Sequence, residues 1–124
     1  MPADTPAQRR DRLVAIGAAL PEVELIVAGE HRGFQVRQKK FAWYQNDHHG
    51  DGLIALVVKA PLGDQDFLIS HDPEHFFKPG YLGTKGWVGL RLDREAVNWE
   101  QVTHLLATGY RLTAPTRLAA LLKT

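Results

Sequence analysis

The stretch at residues 53–59 constrains the fold of this chain more than any other segment. It reads Leu-Ile-Ala-Leu-Val-Val-Lys, so every position except the last is apolar. Strands that are buried on both faces show continuous apolar runs rather than alternating ones. The run therefore predicts a central β-strand covered on at least part of both faces, and Pro61 and Gly63 end it.

An amphipathic helix is predicted near the start of the chain, at residues 5–20. Apolar side chains such as Leu13 and Ile16 recur there at helical spacing. Pro6 stands at the first helical position, where its missing N–H costs nothing. Pro21 ends the helix because it cannot continue the backbone hydrogen-bond ladder.

A β-hairpin is predicted between this helix and the central strand. Residues 33–37 and 41–45 alternate in the pattern of two short strands. The three residues that join them lack the Asn-Gly or Asp-Gly chemistry of the tightest hairpin turns. Alternation predicts that Arg37 faces solvent, and that Phe41 and Trp43 share one face of the second strand.

Turn residues and apolar spacing predict the remaining elements. These are a short strand at 25–27, a loop at 46–52, a helix at 64–71 with Phe67 and Leu68 inward, a second helix start at 72–75, a Gly/Pro-rich loop at 79–86, a strand at 87–92, a helix at 99–109 that ends near Gly109, and a last helix at 114–123.

Together these elements predict a single α+β domain over residues 1–124. A chain of 124 residues is one domain of ordinary size. Strands joined by short hairpins are antiparallel, and helices must cover one face of the sheet to bury its apolar side. The expected architecture is a two-layer sandwich, an antiparallel sheet with helices packed on one face.

Composition excludes several classes of protein. The chain has no cysteine, which excludes a disulfide framework, thiol catalysis and thiolate metal sites. No apolar run approaches the roughly 18 residues that span a bilayer, and the first 20 residues lack the order of a signal peptide. We expect a cytoplasmic protein with no membrane partner.

Three groups of residues resemble the MmcQ/YjbR-like family, in the same order and spacing. The first group is 33–37 with 40–43, the second is 72–77 with Pro79, 81–83 and 86–88, and the third is Asp93, Trp99, 110–112, Ala114, Pro115 and Leu118. The match covers nearly the whole chain. One departure is Arg32-Gly33, where the family often has a Pro-Thr or similar pair before the first strand's Phe.

The resemblance implies a compact α+β fold related to bacterial secretion chaperones and to the frataxin-like CyaY proteins. It also implies DNA binding, because the family carries that label on the basis of a proposed double-wing arrangement. A frataxin-like iron role needs an acidic ridge on the first helix, and Arg9, Arg10 and Arg12 argue against one here.

Local charge suggests where double-stranded DNA would bind. Residues 31–45 hold four cations and no acid, although the net charge of the chain is only +1. A basic hairpin can follow a phosphate backbone or enter a major groove. The segment 81–91, in which Gly83 and Gly86 permit a tight turn, is a second candidate wing. The predicted DNA-binding residues are Arg32, Arg37, Lys39, Lys40, Lys85 and Arg91.

The same cations are also compatible with two roles that involve no DNA. Lysine and arginine on an edge strand often only prevent aggregation. The near-neutral charge and the fold relatives also suit a protein-interaction or chaperone-like module, which would use the sheet or its edge for a partner or a homodimer. Such a module predicts an exposed apolar patch.

Neither a metal site nor a catalytic site is predicted, and we expect no cofactor. His71 and His75 are four residues apart, but Pro73 between them spoils the one-face geometry of a two-histidine helical site. His48 and His49 lie in a loop with no third ligand at suitable spacing. The lone serine, Ser70, is not in a nucleophile elbow, so the sequence does not suggest an enzyme.

Overall fold

The computed structural model describes residues 4–122, apart from the side chain of His49. Eleven α-helices and β-strands occur in this part of the chain. In order they are α1 (Pro6–Ala18), β1 (Glu24–Ala28), β2 (His31–Val36), β3 (Lys39–Asn46), β4 (Ile54–Val58), α2 (Asp64–His71), β5 (Phe76–Phe77), α3 (Gly80–Gly83), β6 (Val88–Arg91), α4 (Trp99–Thr113) and α5 (Thr116–Ala119). No helix in residues 4–122 is long and apolar enough to cross a membrane.

The strands form one antiparallel sheet in the order β1-β2-β3-β4-β6-β5. β4 lies between β3 and β6, and its residues from Ala55 to Val58 are buried. This confirms the central strand that the apolar run predicted. The two outer positions belong to β1 and to β5, which has only two residues.

The main core lies between the sheet and the helices α1 and α4. Leu13 of α1 and Tyr110 of α4 are fully buried there, against Phe34 and Leu56 of the sheet. Leu118 of α5 joins the same core, and so in part does Leu68 of α2. The structure confirms the predicted α+β fold of helices packed on a face of the sheet.

α4 approaches the sheet closely at Gly109. A Cβ added at this glycine would lie 2.8 Å from Cγ2 of Val58 and 3.1 Å from the carbonyl oxygen of Lys59. The helix does not end near Gly109 as predicted, because α4 continues to Thr113. Here glycine permits close packing in the middle of a helix rather than ending it.

The hairpin differs from its prediction in two ways. Arg37 and Gln38 form a two-residue turn with φ of 50° and 68°, the left-handed conformation that tight hairpin turns require. Arg37 is thus a turn residue, and Lys39 already belongs to β3. A bulge between Phe34 and Gln35 shifts the register of β3, and Phe41 enters the main core together with its neighbour Ala42.

Four other local predictions were wrong in detail. Residues 72–75 form a turn that leads into β5, because the backbone N–H of Phe76 bonds to the carbonyl of Asp72. Phe67 is 58% exposed and stacks on His71 instead of entering the core. The last helix is the single turn α5, and the predicted end at Lys123 lies outside the described residues. The loop at 79–86 contains the one-turn α3.

Arg9 of α1 is buried among backbone carbonyls. Its guanidinium donates to the carbonyl oxygens of Leu92 at 2.7 Å and Glu95 at 2.9 Å, and also to that of Arg94. These bonds attach the segment before α4 to α1. No acid in residues 4–122 pairs with Arg9, so its charge is balanced by carbonyl dipoles alone.

The opposite face of the sheet carries a row in which each of two glycines is paired with an aromatic residue. Gly33, Trp43, Val57, Gly89 and Phe77 are successive partners across five strands. A Cβ at Gly33 would lie 2.8 Å from Cζ3 of Trp43, and one at Gly89 would collide with the Phe77 ring. Each aromatic ring therefore packs over a glycine, and Val57 between them is fully buried.

We predict that Gly109→Ala lowers the free energy of unfolding by about 1–3 kcal/mol, the usual cost of overpacking a core. Alanine has a helix propensity better by about 1 kcal/mol, but backbone atoms of the sheet cannot move away easily. Urea denaturation measures the change.

Gly80→Ala in α3 is the control, because no atom lies within 4 Å of a Cβ at that position. It should change stability little. Wild-type stability in Gly109→Ala would contradict the close approach of α4.

Candidate functional site

The six cations predicted to bind DNA do not form one cluster. Lys39 lies opposite Val36, next to the hairpin turn, whereas Arg32 lies opposite Tyr44. Val36 and Arg32 are four positions apart on β2, which is roughly 13 Å along a strand. Arg91 lies opposite Ala55, in the row beyond that of Tyr44. The cations are therefore divided between the two ends of the sheet.

All three arginines of this set have partners within the chain. Arg32 donates to the carbonyls of Gly29 at 2.8 Å and His31 at 2.9 Å. Arg37 forms a two-pronged pair with Glu22, with bonds of 2.8 and 3.3 Å. Arg91 binds both carboxylate oxygens of Asp93 at 2.9 Å. These contacts hold turns and loops in place, and they reduce the positive charge available to a ligand.

The two arginine–carboxylate pairs shift the pKa values of their acids. The hydrogen bond from Arg37 lowers the pKa of Glu22 below its ordinary value of 4.5, and the positive charges of Arg37 and Arg117 add to this. Burial acts to raise the pKa of Asp93, but the hydrogen bond and charge of Arg91 outweigh it and leave that pKa lowered. Both acids are consequently ionised at neutral pH.

The lysines are in a different situation. Lys39 and Lys40 at the start of β3 are exposed, and neither forms an ion pair with the described residues. Lys85 is exposed on the loop before β6, with its ammonium 4.7 Å from the centre of the Tyr81 ring. Such a contact is a cation–π interaction. Within the predicted set, it is therefore the lysines that can meet an anion.

A cleft of about 380 Å³ lies on the face of the sheet opposite the main core. Its floor is the row Ala28, His31 and Gln45 on the first three strands, with Trp43 beside it. The wall that faces Trp43 is the segment 79–82, which includes part of α3. His48 also lines the cleft. α3 thus borders the opposite face from the other helices. The volume is in the range of ligand sites.

Hydrogen bonding fixes the proton of one floor residue. The backbone N–H of Asn46 donates to Nδ1 of His31 at 3.2 Å. A neutral His31 therefore carries its proton on Nε2 and can donate from it. The ring of His48 meets His31 edge-on, with centroids 5.5 Å apart.

The edge strand β1 is open. It pairs with β2 on one side, and no strand of residues 4–122 pairs with its other side. Leu25 is 39% exposed and Val27 is 63% exposed. Ala28, the last residue of β1, is also part of the cleft floor, so the cleft reaches the edge of the sheet.

The histidines at 71 and 75 have local roles. Nδ1 of His71 lies 2.8 Å from the carbonyl oxygen of Phe67, and Nδ1 of His75 lies 2.9 Å from the Asp72 carboxylate. Within residues 4–122, with the His49 side chain left aside, no three His, Asp or Glu side chains are grouped as metal ligands.

Neither the cleft nor the open edge is evident from the sequence alone. Alternation assigned Trp43 to the face of Phe41, and only the bulge places it on the opposite face. Tyr81 is an aromatic residue in a Gly/Pro-rich loop, which is a sequence feature that can indicate a binding surface. Nothing in the sequence, however, indicated which face of the sheet that loop would cover.

Comparison with known proteins agrees with this architecture. The family model described as YjbR matches residues 18–112. The crystal structure of the Deinococcus radiodurans protein DR2400, which has a DUF419 domain, is similar with a TM-score of 0.68 and 24% sequence identity. That match covers 87% of this chain and 80% of the other, and it shows a shared fold. No curated protein matches the chain.

We predict that the carboxyl group of Glu22 titrates below 4.5 in the folded chain. Arg37→Gln should return its pKa towards that value, because the hydrogen bond is removed. A carboxyl whose folded pKa lies below its unfolded pKa stabilises the fold above the unfolded value, and this contribution is lost as the pH falls through the folded value. Carbon-13 NMR of the glutamate carboxyls measures the titration.

The control is Lys40→Gln, which removes a nearby charge that forms no ion pair with Glu22. An ordinary Glu22 pKa in the wild type, or the same pKa in Arg37→Gln, would contradict the pairing.

Proposed function

This chain belongs to the YjbR family, and we propose that it is a protein-interaction module that accepts an extended segment of a partner at the edge strand β1. Its role is binding, without a catalytic step. The observation that carries the proposal is an edge strand that is both apolar and unprotected. The two-residue strand β5 at the other edge offers far less backbone.

The composition of β1 supports this role. Natural sheets usually protect edges with lysine, proline, bulges or very short strands. β1 has five residues, Glu-Leu-Ile-Val-Ala, and so has neither lysine nor proline. Its register with β2 contains no bulge. An added strand would bond to the outward backbone groups of β1 and place apolar side chains beside Leu25 and Val27.

Charge near β1 indicates which partner fits. Glu24 is at the start of the strand, and Glu30 follows its end; the side chain of Glu30 contacts Arg10 at 3.5 Å and is still 68% exposed. A partner segment with apolar alternation and basic flanks is complementary to this arrangement. A second copy of this chain is less suitable, because antiparallel pairing about Ile26 would bring Glu22 of one copy opposite Glu30 of the other.

We predict that peptides selected on the immobilised protein from a displayed random library are apolar at alternate positions and flanked by Lys or Arg. Val27→Lys should weaken their binding about tenfold or more, equivalent to about 1.4 kcal/mol, because a lysine on the edge repels the basic flanks and disfavours strand addition. Fluorescence anisotropy of a labelled peptide measures the dissociation constant.

Leu62→Lys is the matched control, since Leu62 is likewise an exposed apolar residue but lies in the loop before α2. It should leave affinity unchanged. Equal affinity for Val27→Lys and wild type would contradict the proposal. So would a stable dimer in light scattering that Val27→Lys dissociates, since a second copy would then occupy the edge.

A second candidate function is weak binding of double-stranded DNA at the hairpin. The observation that favours it is the pair of exposed lysines, Lys39 and Lys40, which form no ion pair with an acid of residues 4–122. They lie beside the Arg37–Gln38 turn and point to opposite faces of the sheet, so a phosphate backbone that crosses the end of the hairpin could reach both. Arg32 and Arg91 lie towards the other end of the sheet and would not take part in this binding.

For this candidate we predict that the double variant Lys39→Gln/Lys40→Gln binds duplex DNA more weakly than wild type, and that its affinity depends less on salt. The slope of log K against log salt should fall by about 2, which is one unit for each phosphate that the variant no longer neutralises. Anisotropy titrations at several salt concentrations measure the slope.

Arg91→Gln is the control at the distant end of the sheet, and it should retain the wild-type slope. Absence of binding at low salt would remove the DNA function and leave strand addition unaffected.

A further inference from the structure

The cleft on the open face has an aromatic platform. Trp43 lies opposite Gly33, and three atoms of its six-membered ring are within about 3 Å of where a Cβ at Gly33 would be. One face of the indole is therefore occupied by the β2 backbone. Trp43 also lines the cleft, so its remaining ring surface is available to a ligand that stacks on it.

The opposite wall adds a second aromatic side chain. Tyr81 of α3 is 77% exposed although it is a large ring, and Pro79 and Leu82 flank it. The ammonium of Lys85 lies over the Tyr81 ring, 4.7 Å from its centre, although Lys85 itself does not line the cleft. A flat molecule between these walls would lie close to one aromatic group on each side and near one positive charge.

The floor of the cleft requires a polar ligand. Nε2–H of His31 can donate, because Nδ1 already accepts the N–H of Asn46. The amide of Gln45, which also lines the cleft, offers one donor group and one acceptor side by side. A purely apolar ligand would leave these groups unpaired, which costs free energy when water is displaced.

We propose that this cleft binds a heteroaromatic ring with hydrogen-bond donors and acceptors on its edge, the chemistry of a nucleobase. The ring stacks on Trp43, its edge pairs with Gln45 and His31, and Lys85 meets a phosphate attached to the base. A glutamine amide suits such an edge because it can donate and accept at once. β1 contributes only Ala28 to the cleft, whereas strand addition uses the outward backbone groups of β1, so the base site does not depend on strand addition.

The same chemistry has two sources, a free nucleotide and an unpaired base of a single strand. Calorimetric titrations of the full chain with the four common ribonucleosides, their 5′-monophosphates and a short single-stranded oligonucleotide separate them. Similar affinity for a monophosphate and the oligonucleotide indicates a free nucleotide, and much tighter binding of the oligonucleotide indicates a single strand. Both results support the base site.

We predict that at least one nucleoside binds with a dissociation constant on the order of 1 mM or tighter, which corresponds to about −4 kcal/mol. Gln45→Leu, which keeps an apolar side chain but removes the amide, should weaken binding about tenfold, and Tyr81→Ala should weaken it as well. The matched control is Gln35→Leu. Gln35 is on β2 and faces the same side of the sheet as Gln45, but its amide bonds to Glu24 at 3.1 Å and lies outside the cleft.

Tyr81 is exposed, so its truncation keeps the test meaningful even if Gln45→Leu unfolds the chain. Phenol serves as an aromatic probe without the base edge. The proposal is overturned if no nucleoside binds. It is also overturned if two results occur together: phenol binds as tightly as the nucleosides, and the variants Gln45→Leu and Tyr81→Ala bind the nucleosides with wild-type affinity.

Discussion

The packing of two aromatic rings onto two glycines determines the open face of the sheet. Because Gly33 and Gly89 have no side chain, the rings of Trp43 and Phe77 lie against the strands and cover Val57 between them. A side chain at either glycine would displace the ring above it. The face is thereby closed at its centre without a second layer of helices, and it stays accessible on the side of β1.

The main core, on the opposite face of the sheet, also depends on close packing at a glycine. Gly109 lets α4 approach β4 within van der Waals contact of Val58, and the β3 bulge allows Phe41 to pack edge-on against Tyr110, with ring centroids 5.7 Å apart. The helices therefore cover the middle of the sheet and leave β1 largely outside their cover. Both layers protect the central strands, and the least protected backbone is that of β1.

The sequence predicted the elements whose signals are local and failed where tertiary contacts decide. The apolar run at 53–59 correctly predicted a central strand, and Pro6 correctly marked the first position of α1. Alternation misassigned Trp43 to the face of Phe41, because a bulge depends on the partner strand. The grouping of six cations by sequence could not reveal that their arginines are bound to carboxylates and carbonyls within the chain.

Strand addition at β1 is the central claim, and NMR of the labelled chain with a bound selected peptide tests it most directly. Amide signals of residues 24–28 should shift most and gain protection from hydrogen exchange, because their outward groups acquire hydrogen bonds. Residues 76–77 at the other edge should not change. Shifts confined to the hairpin turn or to α4, with residues 24–28 unchanged, would contradict the account.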